Sequence, residues 1–163
     1  MKLIFAICLL IIVTSGCNEK SSQTNQGDSV IKVADGDAEM NAAISNAQAT
    51  LTNFITTLRV PQSNQNYFLI KGKFASGDSY EHIWVADISF DGRNFCGVVA
   101  NEPEKSSELS FKQKVQVAAT NVTDWMYVQD GKLVGGFTSR VLRSRMTEIE
   151  RQDEDSSIPY RFQ

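Results

Sequence analysis

An α+β domain is the fold this sequence predicts: one long amphipathic N-terminal helix packed on a meandering antiparallel sheet of five or six strands, with short C-terminal helices. Three observations carry that expectation. Apolar residues recur at alternating steps of four and three from Met40 to Leu58. After Pro61 the pattern changes to runs rich in aromatic and β-branched residues. Between those runs stand Asp91-Gly92 and Asp130-Gly131, dipeptides that supply the positive φ angles of tight hairpins.

The chain opens MKLIFAICLLIIVTSGC, one cation followed by an apolar run over residues 3–13 and then small or polar residues up to Cys17. That is the layout of a secretion signal. Its apolar run is too short for a permanent span, since a hydrocarbon core of ~30 Å takes roughly 20 helical residues. Thr14-Ser15-Gly16-Cys17 resembles the lipobox of bacterial lipoproteins, so cleavage is expected before Cys17 and a diacylglyceryl group on its sulfur. Several acyl chains on one residue anchor stably where a single chain does not. Asn18 points away from inner-membrane retention. The organisation that follows is a signal over residues 1–16, a lipidated cysteine and flexible tether over 17–34, and one domain over 35–163, facing the periplasm from a membrane, in the outer membrane rather than the inner. Residues 18–29, NEKSSQTNQGDS, contain nothing to bury and span about 20 Å as a coil.

Residues 30–33 (VIKV) read as a short edge strand. Asp37 then caps the long helix, Glu39 sits in its first turn where the dipole favours an anion, and Pro61 ends it. The opposite face, from Asn41 and Ser45 through Gln48 to Thr52 and Thr56, is polar and uncharged and is expected to face water. Strands are predicted over residues 67–74, 82–90, 95–100, 114–118, 125–128 and 132–134, with a hairpin at each Asp-Gly. Gly135-Gly136 turns the last strand into a helix that begins at Thr138, and Thr147-x-x-Glu150 is a capping box that starts another. Residues 158–162 are expected to dock as an extended segment.

Composition narrows the function classes. The net charge is −3, and −3 becomes −4 when Lys2 leaves with the signal, too mildly acidic to draw the domain to nucleic acid or anionic lipid. With Cys8 in the signal and Cys17 lipidated, Cys96 stands alone, so no intramolecular disulfide holds the domain. Its roughly 130 residues are long enough to bury about two thirds of the unfolded surface instead.

Candidate chemistry is sparse. His82 is the sole histidine and has the intrinsic pKa of a general base, yet its neighbour Glu81 points to the other face of a strand and does not orient it. One histidine without cysteine pairs makes no zinc site, and Gly-x-Ser-x-Gly is absent; no metal, cofactor or catalytic residue is assigned. Asn101 and Glu102 end a strand with their backbone set by Pro103, and Asp124 precedes Trp125 where it would line a pocket. Glu81, His82, Asn101, Glu102 and Asp124 therefore form the candidate binding rim, to which Arg140 is added because Gly135-Gly136 ahead of a helix offers an anion site.

Met40-Asn41-Ala42-Ala43-Ile44, Glu81-His82-Ile83-Trp84-Val85, Gly97-Val98-Val99-Ala100-Asn101-Glu102-Pro103, Asp124-Trp125-Met126-Tyr127-Val128 and Gly131-Lys132-Leu133-Val134-Gly135-Gly136-Phe137-Thr138, in this order, resemble the YegJ-like family of bacterial domains of unknown function. The resemblance covers residues 35–151 and implies a self-contained bacterial domain without supplying an activity, cofactor or site. The expected function is a non-enzymatic, lipid-anchored envelope module with a protein or peptide partner and no nucleic acid. The alternatives are a small hydrolase or transferase using His82 with Glu81 or Glu102, and an immunity-type protein.

Overall fold

The computed structural model describes residues 36–104 and 108–163. The signal, Cys17, the tether and the strand expected at residues 30–33 lie outside them. The three-four spacing winds into helix α1 (Ala38–Arg59), whose cap is Asp37, its carboxylate accepting from the Met40 N–H at 3.1 Å. Met40, Ala43, Ala47, Leu51 and Phe54 form the buried stripe. Gln48 departs from the expected solvent face: its amide donates to the carbonyls of Val122 and Ala119, joining the helix to the sheet.

Six antiparallel strands follow: β1 (Gln65–Ser76), β2 (Ser79–Phe90), β3 (Asn94–Val99), β4 (Lys114–Ala118), β5 (Val122–Gln129) and β6 (Lys132–Gly135). Their order across the sheet is β4-β3-β2-β1-β5-β6, so the first four form the expected meander and β5 then returns to the far side of β1. The connection between β4 and β5 is a single 3-10 turn, Ala119–Asn121. So short a link is possible because the sheet curls inward. Gly72 on β1 and Val117 on β4 approach so closely that a Cβ at Gly72 would stand 3.0 Å from a Val117 methyl. Positive φ at Tyr67 and Asp87, where the ladder shifts register, adds to the curl.

The concave side of this sheet meets α1. Phe54, Ile70, Val85, Phe95, Val117, Val122 and Trp125 are buried there, with the rings of Phe54 and Trp125 stacked at 5.1 Å. Trp125 Nε1 donates to the Ala47 carbonyl at 3.0 Å, so the indole satisfies its one donor inside the core. Fully burying a side chain of Phe size stabilises by about 1.5–3 kcal/mol, and no disulfide is needed to hold such a cluster.

On the convex side, β2 and β1 continue as a hairpin after both neighbours have stopped. β5 last pairs with β1 at Gly72 and β3 last pairs with β2 at Val85, whereas the β1–β2 ladder runs on from Lys73↔His82 to Ser76↔Ser79. The arm carries Lys73, Tyr80 and His82 on its outer face. Helices α2 (Phe137–Ser144) and α3 (Glu148–Ser157) complete the domain, the latter behind the expected capping box. The extended C-terminal segment lies along β6, with the Leu133 N–H donating to the Arg161 carbonyl at 2.9 Å.

Candidate functional site

Alternation along β1 turns Ile70 and Gly72 to the core and Lys71 and Lys73 to the convex face, where Lys71 pairs with Asp124 and Trp84 and Lys73 with His82. Lys71 is nevertheless buried, at 8 % exposure. Its ammonium donates to Thr138 Oγ1 at 2.9 Å and lies 4.5 Å from the centre of the Trp84 ring. Thr138 in turn donates its hydroxyl to Asp124 Oδ2 at 2.6 Å. Asp124 is 0 % exposed, and its carboxylate also accepts from the backbone of Trp125 at 2.8 Å, Phe137 at 3.0 Å and Thr138 at 2.8 Å. An anion therefore does occupy the N-terminus of α2, and it is the protein's own. Burial pushes the Lys71 ammonium below the ordinary lysine range, and Asp124 works against that shift.

Next to this cluster, the ladder slips between Lys71 and Gly72, and Thr123 of β5 falls at the slip. Its hydroxyl donates to the Lys71 carbonyl at 3.2 Å and meets His82 Nδ1 at 2.9 Å. The Thr123 hydroxyl thus sits between the Lys71 carbonyl and the ring and holds His82 by Nδ1. Partial burial lowers the His82 pKa below its ordinary value, and the Lys71 and Lys73 ammonium groups push it the same way. Lys73 lies 3.9 Å from the Tyr80 ring, and Tyr80 is 57 % exposed.

The expected rim is brought together only in part. Glu81 and His82 do sit on opposite faces, opposite Phe74 and Lys73 respectively. Glu81 accepts from the Glu104 N–H at 2.6 Å, and Asn101 accepts from the Trp84 N–H at 2.8 Å while donating to the Glu102 carbonyl at 3.1 Å. These bonds fold the segment after β3 back along the edge of β2; the Glu102 side chain is exposed. Two placements correct the sequence reading. Asp124 is wholly buried and caps α2 instead of lining an open pocket. Arg140 binds the carbonyls of Gly135 at 2.9 Å, Leu133 at 2.9 Å and Gln163 at 3.1 Å, so it staples the chain end to β6 instead of receiving an anion. Lys71 and Thr123 were not singled out by the sequence, because a lysine in an alternating strand reads as solvent-facing and nothing local announces a buried partner 67 residues away. Among the described residues no three His, Cys, Asp or Glu gather to hold a metal, and no helix is long and apolar enough to cross a membrane.

Residues 37–162 match a family described as an uncharacterized protein conserved in bacteria, DUF2314. The chain belongs to this family. This DUF2314 domain is 35% identical over 140 residues to a putative ankyrin repeat protein of Neisseria meningitidis serogroup B, a match covering 80% of the chain and 55% of that protein. The chain thus spans little more than half the length of the Neisseria relative. It is 25% identical over 137 residues to the uncharacterized protein YegJ of Escherichia coli K12, with 84% of each chain covered. No solved structure matches the chain.

Proposed function

We propose that this DUF2314 domain is a non-enzymatic binding module of the bacterial envelope, moored by a lipid on Cys17 and engaging a protein or peptide through the convex face of its sheet. The observation that carries the reading is the destination of the polar side chains. Asp124, Thr138 and Lys71 satisfy one another in the interior, Asn101 closes a turn, and Arg140 binds backbone carbonyls. What remains presented outward is an open surface with Lys73, Tyr80 and His82 at its projecting end. The alternative of a hydrolase or transferase needs a carboxylate to orient His82, and the partner of Nδ1 is the Thr123 hydroxyl, not Glu81 or Glu102. The Neisseria relative is described as a putative ankyrin repeat protein, and ankyrin repeats as a class present extended binding surfaces.

Mass spectrometry of the mature N-terminus, with membrane fractionation of wild type and Cys17→Ala, tests the anchor: a diacylated Cys17 and release of the variant to the soluble fraction are expected. A photo-crosslinker at Tyr80, compared with one at Ile149 on α3, tests the face. Equal adducts at both sites, or none at either, overturn the binding reading. An immunity-type role is recognised by the identity of the partner captured at Tyr80.

A further inference from the structure

We infer that the projecting β1–β2 arm takes an extended acidic segment of a partner protein, Lys73 contacting its carboxylates and His82 Nε2 hydrogen-bonding to it. The inference rests on the binding-module reading and names the chemistry of the partner. Charge is the first argument. Lys73 is exposed on the convex face beside His82, and among the described residues no ion pair involves either. The one buried carboxylate beside them, Asp124, is already shared among the hydroxyl and three backbone donors. Lys73 has the Tyr80 ring for company, which leaves its ammonium able to take an anion while keeping the aromatic contact.

Edge geometry is the second argument. β5 stops pairing at Gly72, so among the described residues no strand pairs with the edge of β1 from Lys73 to Ser76, and a segment added there would continue the ladder where β5 leaves it. A strand entering at this edge places alternate side chains on the convex face, the face of Lys73, His82 and the exposed Tyr80. Thr123 holds the His82 ring by Nδ1, and among the described residues Nε2 makes no hydrogen bond, which leaves it for a polar group of such a segment.

The test uses the full-length protein in detergent with a fluorescein-labelled peptide of alternating glutamate and threonine, read by anisotropy, beside its lysine–threonine counterpart and phosphatidylglycerol vesicles. The glutamate peptide is expected to bind and the lysine peptide not. Lys73→Glu should weaken binding about tenfold or more, and Lys114→Glu, the same charge change on distant β4, much less. His82→Ala should weaken it by a smaller factor, with thermal melts confirming that the exposed variants stay folded. Equal losses in Lys73→Glu and Lys114→Glu, indifference to peptide charge, absence of peptide binding, or preference for the vesicles would overturn the inference. A Tyr80 crosslink to a partner segment without acidic residues would also overturn it while leaving the module reading intact; adducts that do not favour Tyr80 over Ile149 remove the module reading itself.

Discussion

Asp124 is the residue on which the convex side of the sheet is organised. Its carboxylate answers four donors from two elements and supplies the opposite charge for Lys71, all without exposure to water. Removing it would leave an uncompensated ammonium and several buried N–H groups, a loss in the range of about 3–5 kcal/mol. Asp124→Ala is therefore expected to lower the urea midpoint severely, whereas Lys71→Met, which leaves every donor of the carboxylate in place, should cost clearly less. Equal losses in the two variants would contradict the hierarchy. Phe54 belongs at the same scale: it is 0 % exposed and touches Phe68, Phe95, Trp125 and Tyr127, so Phe54→Ala should cost about 3–5 kcal/mol, measurable by the same unfolding series.

At the level of elements, the turn from β6 into α2 is set by two glycines with left-handed backbone, Gly135 at φ 76° and Gly136 at φ 63°. A Cβ at Gly135 would also stand 2.3 Å from the Trp125 carbonyl oxygen, a backbone atom that already accepts from the Gly136 N–H at 2.8 Å. Gly135→Ala should consequently destabilise by well over the roughly 1 kcal/mol of ordinary left-handed strain, and it should disturb the Asp124 cap with it. The capping box of α3 is reciprocal, Thr147 N–H to the Glu150 carboxylate at 2.6 Å and Glu150 N–H back to Thr147 Oγ1 at 3.3 Å. Loss of a cap costs about 1 kcal/mol, and Thr147→Ala should show that much in helical stability by circular dichroism on heating.

At the scale of the whole molecule, Arg145 ties the end of α2 to the start of α1, its guanidinium bonding Asp37 at 2.9 Å and Glu39 at 2.8 Å. The Arg145 bond, with the cap bond from Met40, holds the Asp37 carboxyl down at about 2, below its ordinary 3.8. A depressed carboxyl stabilises the fold above its unfolded pKa, and that contribution fades as pH falls from near 3.8 towards 2. His82 acts in the same direction at milder pH: because the folded ring resists protonation, stability should decline once pH drops below the unfolded value of 6.5. His82→Gln is expected to flatten the profile near pH 6, and Arg145→Ala to flatten it in the acid range, both followed by denaturant midpoints across pH.

The sequence by itself determined which segments become helix and strand, because local periodicity and turn chemistry report the environment a short stretch will meet. The stripe from Met40 to Phe54, the Asp-Gly hairpins and the Thr147 capping box were all legible for that reason. The sequence also carried the family, through strings of residues in a fixed order. Only the tertiary structure decided that β5 returns beside β1, that Gln48 faces the sheet, and that Asp124 and Arg140 serve the interior and the chain end instead of a rim. Those outcomes depend on contacts between residues far apart along the chain, such as Lys71 with Thr138. Polar side chains carry no periodic mark of their distant partners, so their burial became visible only once the curled sheet had brought the two ends of each hydrogen bond together.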